Sequence, residues 1–305
     1  MLVYEPGGIF SNDGQLMWID RAGKDLGLIC GRDEHGSLRL SSHGRHVAFE
    51  KAGGGQSPDV WTIDTASGEE RRITTSGDAT VPVWLHDDRW VAYSRNGRDT
   101  QGIYRSAAMG SSGEELLLRT SLPSYACDGT PDGRFLLLVQ DTGLSKTGRD
   151  LWLLPLNGGR RPRPLLQTRA DEAEAQISPN GRWIAYVSNE SGRAEVYVAP
   201  FPSMARRWVI SISGGASPRW RGDGEELFYL GSDGMITAAE LDIAPEAVRV
   251  AKTTALFQAS LKSLLQGVAY DVAPDGQRLL VNRLGEEQSQ PFVVVQNWPA
   301  ALGPR

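Results

Sequence analysis

The chain has 305 residues, of which 40% are hydrophobic and 23% charged, a mixture typical of a folded globular protein and not of a disordered one. Its net charge of −5 provides no basic surface for nucleic acid or an anionic membrane. The sequence has no apolar run of about 18 residues and no signal-peptide pattern at its start, so we expect no membrane insertion.

One unit of strand, tight turn and strand recurs six times along the chain. Its turn residues are Gly44, Asp88, Gly133, Gly181, Gly224 and Gly276, at spacings of 44, 45, 48, 43 and 52 residues. The preceding residue is Asp or Asn in five units and His43 in the first. Such residues bond their own backbone, and glycine adopts a positive φ without strain, so each pair predicts a turn. An apolar strand starts three residues later in every unit.

Further strands complete each unit. Before the turn, an apolar position follows a mostly polar one, which is the alternation of a strand with two different faces. The mostly polar position is occupied by Arg39, Val83, Asp128, Gln176, Arg219 and Asp271. After the turn, a third strand carries an aromatic residue, as at Trp61 and Tyr197, and a weaker fourth follows in most units. Four-stranded units of about 40–50 residues predict an all-β fold, a β-propeller of antiparallel blades.

The two ends of the chain decide the predicted blade count. Residues 2–4 fit a second strand and Trp18 a third-strand aromatic, while residues 291–295 fit the third strand of a last unit. We favour seven blades with an incomplete first and last. The alternative is a six-bladed propeller in which the terminal strands share one closing blade. Residues 1–305 are expected to form a single domain, truncated at the N-terminus within its first blade.

Catalytic motifs and a cysteine framework are both missing from the sequence. It has no Gly-x-Ser-x-Gly and none of the glycine-rich-loop and His-Arg-Asp signatures of kinases, so we predict that the chain is not an enzyme. The carboxylates of the turns recur in nearly every unit, which indicates a structural role and not a catalytic one. Cys30 and Cys127 form no CxxC pair, which favours two buried thiols, with a single disulfide as the alternative.

The turn motifs resemble those of a known family. SPNGRWIAY at 178–186, TPDGR at 130–134 and APDGQ at 273–277 are similar to the WD-like repeats of TolB-type propellers. More narrowly, residues 15–23, 195–202, 217–224, 226–229 and 297–301 resemble the propeller half of bacterial serine/threonine kinase-like proteins. In those relatives the propeller follows a kinase domain, often with a membrane span between them; this chain lacks both.

The resemblance implies a sensor or protein-interaction module, the regulatory part of a kinase-like signalling protein, with a protein or peptide partner. The alternatives are a propeller cap or accessory of a peptidase or other hydrolase, and a periplasmic TolB-like transport accessory. As written, the chain would be cytoplasmic; as part of a membrane-spanning kinase, it would be extracytoplasmic.

One candidate site follows from the propeller prediction. The loops that enter the innermost strands should lie at one mouth of the central channel, and they contain Asp33, Glu34, Asp78, Asp171, Glu172 and Glu174. Converging carboxylates would create a negative mouth that attracts a cation such as calcium or a basic peptide. The alternative is a solvated acidic rim. No other cofactor is expected.

Overall fold

The computed structural model describes residues 2–4, 13–52, 57–110, 113–143, 148–244, 247–262, 267–284 and 293–295. These residues form strands, joined by turns and one short 3-10 turn at His86–Asp88. The strands are β1 Leu2–Tyr4, β2 Gly14–Asp20, β3 Asp25–Leu40, β4 His46–Ala52, β5 Asp59–Asp64, β6 Glu70–Arg72, β7 Ala79–Trp84, β8 Trp90–Arg95, β9 Gly102–Ala107, β10 Glu115–Arg119, β11 Ser124–Gly129, β12 Phe135–Asp141, β13 Arg149–Pro155, β14 Arg163–Leu166, β15 Glu172–Ile177, β16 Trp183–Ser188, β17 Glu195–Pro200, β18 Trp208–Val209, β19 Gly215–Trp220, β20 Glu226–Gly231, β21 Met235–Ala244, β22 Ala247–Gln258, β23 Tyr270–Val272, β24 Arg278–Leu284 and β25 Val293–Val295.

Antiparallel pairing sorts these strands into six four-stranded blades. Blades 2 to 5 each use four consecutive strands: β7–β10, β11–β14, β15–β18 and β19–β22. Blade 1 consists of the second half of β3 followed by β4, β5 and β6. Blade 6 combines β23 and β24 with β2 and the first half of β3. The predicted all-β propeller of four-stranded antiparallel blades is therefore confirmed.

The closing blade corrects the favoured count of seven in favour of the six-bladed alternative. β2 pairs with β24 over seven residues, from Gly14 opposite Leu284 to Asp20 opposite Arg278. The third strand of the first unit thus joins the second strand of the last unit, so two partial units form one sheet. The remaining terminal strands, β1 and β25, pair with each other as a separate two-stranded sheet. Residues 291 and 292 of the predicted last strand lie outside the described residues.

The predicted turns all have the expected geometry. Their six turn residues have φ between 53° and 76°, the left-handed region that glycine, or here Asp88, tolerates. In five units the preceding Asp or Asn side chain accepts the backbone N–H two residues on. In blade 4, for example, Arg182 N donates to Asn180 Oδ1 at 3.0 Å. These bonds fix the exit of each innermost strand.

The hydrophobic core consists of six clusters, each between neighbouring blades. The cluster between blades 5 and 6 packs Phe228 against Tyr270, and the one between blades 6 and 1 packs Leu280 against Leu38 and Phe49. These side chains are fully buried, which stabilises the fold by about 1.5–3 kcal/mol for each relative to exposure. Because a cluster also joins blade 6 to blade 1, the ring of blades is closed.

Five innermost strands carry a one-residue β-bulge just before the channel position. These are β3, β7, β11, β15 and β19. In three of them a bulge residue has positive φ: Val81 at 52°, Glu174 at 52° and Ser217 at 55°. A bulge bends its strand and redirects the following side chains. The bulges therefore set which residues face the channel.

Candidate functional site

Six side chains, one from each blade, form a ring within the channel. We call this the channel ring, and it consists of Arg39, Val83, Asp128, Gln176, Arg219 and Asp271. They occupy the mostly polar position that precedes the apolar one in each unit. Each is paired with the middle of its blade's second strand, as Arg39 is with Ala48. The sequence predicted the alternation, but not that these charges would meet.

The four charged members form a network in which Arg39, Arg219 and Asp271 are buried and Asp128 is half-buried. Arg39 Nη2 donates to Asp128 Oδ1 at 2.9 Å, and Arg39 Nε lies 3.9 Å from Asp271 Oδ2. Arg219 Nε lies 3.5 Å from Asp271 Oδ1. Burial raises the pKa of Asp128, and the positive charges of Arg39 and Arg219 oppose that rise. Two arginines and two aspartates balance in charge, as buried ions require.

Three acceptors of the ring also link neighbouring blades. Asp128 Oδ2 accepts the N–H of Ile177 at 2.9 Å, from blade 3 to blade 4. Gln176 Oε1 accepts the Trp220 N–H at 2.7 Å. Asp271 Oδ2 accepts the Leu40 N–H at 2.8 Å, across the closing joint. The ring therefore has a structural role whatever else it does.

The ring divides the channel into two spaces. On the side of the loops that enter the innermost strands lies a cavity of about 60 Å³, which we call the channel cavity. On the side of the turns lies a larger space of about 410 Å³, which we call the vestibule and to which all six blades contribute. Arg39 lines both.

The vestibule has an acidic lining. Its carboxylates are Asp87, Asp88, Asp128 and Asp271, against Arg39 as the one arginine or lysine among the residues that line it. The rest of its wall contains turn prolines of three blades and two tryptophans, namely Pro131, Pro179, Pro274, Trp84 and Trp220. It is therefore a concave surface built on rigid turns, with its charge supplied mainly by aspartates.

Ser42, His43 and Asp88 meet at the vestibule rim but do not have the geometry of a hydrolase triad. Ser42 Oγ donates to Asp88 Oδ2 at 2.7 Å and lies 2.8 Å from His43 Nδ1. The same Nδ1 lies 3.2 Å from Asp88 Oδ2. A triad places serine and aspartate on different nitrogens of the imidazole. This cluster is a contact between the turns of blades 1 and 2.

The predicted acidic residues of the entry loops do not converge as a group on the channel. Of the six, Glu174 alone lines the channel cavity. Its Oε2 accepts the N–H of Ser217, and Ser217 Oγ lies 3.1 Å from it. Asp33 lies 3.1 Å from Lys51 Nζ. Glu34 is half-buried; burial lowers the pKa of Lys262, and the charge of Glu34 opposes that lowering.

The remaining three predicted residues bond within or between blades. Asp78 accepts from Arg95 Nε at 2.7 Å, and Asp171 accepts the N–H of Arg149 at 3.0 Å. Glu172 is buried, and burial raises its pKa to about 7 although Thr168 donates to it. Within the described residues, no three His, Cys, Asp or Glu side chains are grouped to hold a metal ion. Binding of a cation or peptide by these six residues stays a prediction.

Cys30 and Cys127 are both free thiols, so the alternative of a disulfide is not realised. Cys30 is buried, and Cys127 is half-buried at the channel cavity. Burial raises the pKa of each thiol to about 12. In the part of the chain that the structure describes, no helix has the length and apolarity needed to cross a membrane.

No protein-family model and no curated protein sequence matches the chain. Solved structures do match it. A TolB-type protein from Agrobacterium tumefaciens is similar with a TM-score of 0.67 and 15% identity, over 93% of this chain and 99% of that one. TolB from Acinetobacter baumannii has a TM-score of 0.61 and 16% identity, over 92% and 66% of the two chains. Hydrazine synthase from Kuenenia stuttgartiensis has a TM-score of 0.60 and 14% identity, over 93% of this chain and 89% of that one. At these identities the likeness shows the fold alone, the β-propeller that this chain shares with these structures.

Proposed function

We propose that this chain is a non-catalytic recognition propeller that takes a basic segment of a protein partner into the vestibule. The observation that carries the proposal is the vestibule's lining of four aspartates against one arginine. Asp128 and Asp271 are balanced by the ring arginines, so the excess negative charge comes from Asp87 and Asp88. A cleft lined mainly by one sign of charge concentrates the field and raises the local concentration of oppositely charged ligands. Lysine or arginine side chains of a partner would be attracted to it.

The shape of the vestibule supports the same proposal. Its volume of about 410 Å³ falls within the roughly 300–1,000 Å³ that ligand pockets occupy. The turns around it are held by side-chain bonds, as Asp87 Oδ2 is by Arg89 Nε at 2.6 Å. A preformed surface of this kind loses little conformational entropy when a partner binds.

A titration with a defined probe tests this function. The probe is a capped pentapeptide with two arginines, compared by calorimetry with the same peptide carrying two glutamates. We expect heat only from the arginine peptide, declining with added salt because exposed charges are screened. Equal heats from the two peptides, or none from either, would overturn the proposal.

Variants locate the binding to the vestibule. Asp87→Asn with Asp88→Asn removes two charges, and asparagine tolerates their positive φ values of 76° and 53°. Each lost charge contact contributes about 1 kcal/mol in water, so we expect affinity to fall about tenfold or more. The matched control is Asp275→Asn, an equivalent turn residue outside the vestibule lining, which should leave the affinity unchanged.

The signalling context belongs to the same proposal. The resemblance to the propeller half of kinase-like proteins supports a regulatory role beside a kinase. An antibody raised against the propeller would test it in native cells. A polypeptide much longer than 305 residues that carries kinase activity would support this role, whereas a propeller-sized product without associated kinase activity would oppose it.

A further inference from the structure

Two buried guanidinium groups at the channel cavity have N–H groups that make no hydrogen bond, although Arg219 Nε lies 3.5 Å from Asp271 Oδ1 as an ion pair. Among the described residues, Arg39 Nη1 and Arg219 Nε have no hydrogen-bond acceptor. The two residues are only 7% and 2% exposed, and both line the cavity. A buried donor that makes no hydrogen bond costs about 1–3 kcal/mol, and more when it is charged. An acceptor placed in the cavity would remove that cost.

The charges of the ring are sorted between its two sides. Asp128 and Asp271 line the vestibule but not the cavity. The charged residues that line the cavity are Arg39, Arg149 and Arg219, against Glu174 alone. The carboxylate of Glu174 is already engaged by Ser217. Arginine side chains therefore outnumber carboxylates in the lining of the cavity, although Arg149 Nε also lies 3.8 Å from Asp171 Oδ1.

The two arginines also repel each other. The pKa of Arg219 is lowered to about 10, first by burial and then by the charge of Arg39. An anion between the two guanidinium groups would be attracted to both and would reduce this repulsion. Asp271 already reduces it from the vestibule side, at 3.9 Å from Arg39 Nε and 3.5 Å from Arg219 Nε.

The size of the cavity and the shape of its donors select the anion. About 60 Å³ exceeds the roughly 10–15 Å³ that a single water requires by the same kind of measure. Guanidinium N–H groups match the planar, two-oxygen geometry of a carboxylate. Cys127 and Ala126 supply neutral wall between the charges.

We propose that the channel cavity is a carboxylate-binding site, with one carboxylate oxygen accepting from Arg39 Nη1 and the other from Arg219 Nε. The carboxylate comes either from a free small acid or from the C-terminus of a peptide that enters from the side opposite the vestibule. The site is separate from the vestibule and does not depend on the function proposed there.

Arginine side-chain NMR on the full chain tests the site. Acetate is titrated at constant ionic strength, and the Nε–H signals of Arg39 and Arg219 are followed. We expect a saturable shift of the Arg219 signal with acetate and none with the neutral isostere acetamide. Shifts that are absent, that never saturate or that are equal for the two compounds would overturn the proposal.

Variants that fill the cavity provide the control. Cys127→Met adds neutral bulk to the cavity wall and leaves both arginines in place in the sequence, and we expect it to weaken acetate binding at least tenfold. Cys30→Met makes the same chemical change away from the cavity and should leave acetate binding intact. Equal effects of the two variants would contradict the location of the acetate site in the channel cavity.

A double variant tests the role of Arg39. Arg39→Met with Asp128→Asn removes a charge pair as a unit, so the folded double variant should lose the acetate-induced shift of the Arg219 signal. A retained shift would contradict the assignment to Arg39.

A second arm distinguishes the two sources. A neutral tetrapeptide with a free C-terminus is compared with its C-terminally amidated form as a competitor of acetate. Competition by the free-terminus peptide alone assigns the site to a chain terminus, whereas acetate binding without peptide competition assigns it to a small acid. Equal competition by both peptides would show that the free C-terminal carboxylate is not the group that binds, and would contradict the chain-terminus source.

Discussion

Arg39 and Asp128 join two blades that are not neighbours. The Arg39 Nη2 atom lies 2.9 Å from Asp128 Oδ1, although blade 2 lies between their blades. Blade 2 contributes Val83 to the ring, a short apolar side chain that leaves the path across the channel open. This contact therefore connects blades 1 and 3 directly, in addition to the hydrophobic clusters between adjacent blades.

Removing one member of this pair should be far more harmful than removing both. Asp128→Ala leaves Arg39 buried without its hydrogen-bond partner, so we expect a loss of about 3 kcal/mol in the free energy of unfolding. Arg39→Met with Asp128→Asn should recover most of that loss, because no uncompensated charge remains. Urea unfolding of the wild type and the single and double variants measures the coupling. If the loss in the double variant equalled the sum of the losses in the two single variants, the pair would contribute no coupling energy.

The turn of blade 4 requires glycine for its backbone and not for space. Gly181 has φ of 70°, and an added Cβ would meet Pro131 Cδ only at an ordinary 3.7 Å. We expect Gly181→Ala to destabilise the protein by about 1–2 kcal/mol through backbone strain. Gly159→Ala is the control, because Gly159 is exposed, lacks a positive φ and has open space around its Cβ position. Equal unfolding temperatures for the two variants would contradict the explanation by backbone strain.

Glu172 should make stability fall as the pH rises. Its pKa is raised from the ordinary 4.5 to about 7 by burial, so the folded state binds the proton more tightly than the unfolded state. The contribution is favourable below pH 4.5 and is lost as the pH rises to about 7, by about 2 to 3 kcal/mol. In Glu172→Gln this pH dependence should be absent. Unfolding free energies of both proteins at pH 5 and pH 7.5 provide the check, and parallel changes would contradict the assignment.

The closing blade depends on Gly14, because only a residue without a side chain leaves room for Asn282. A Cβ on Gly14 of β2 would collide with the buried Asn282 Oδ1 of β24. Asn282 Nδ2 donates to the carbonyl oxygens of His35 and Gly36, at 3.0 Å and 2.9 Å. Gly14→Ala should displace these bonds and lower the free energy of unfolding by roughly 2–4 kcal/mol. Gly31→Ala, which has nothing within 4 Å of its Cβ position, should change it by less than about 1 kcal/mol; similar losses would contradict the mechanism.

The blades could be predicted from sequence because their signals are local. The Asn180–Gly181 turn and the strand that follows it lie within a few residues of each other. The closing of the ring could not be predicted in the same way. Trp18 has the character of a third strand whether its partner is residues 2–4 or Leu280, and the choice depends on a pairing across more than 250 residues.

The candidate site was less predictable for a geometric reason. The ring position of Arg219 was visible as one of a recurring set of mostly polar residues, but which charges meet depends on the curvature of the ring and on the bulges. Val81 and Ser217 adopt positive φ at those bulges, a conformation that their residue types do not signal. The acidic entry loops were visible too, yet the directions of their side chains were not, and Glu174 alone of the six lines the cavity.

The long strand β3 determines how the ring can open. It runs without a break from the outer edge of blade 6 to the channel side of blade 1, so covalent backbone bridges that joint. In the described residues, the first and last parts of the chain are joined by the β2–β24 ladder and the short β1–β25 pair, and by the bonds of Asn282 to His35 and Gly36. All of these closing contacts form only after the last strands have been synthesised.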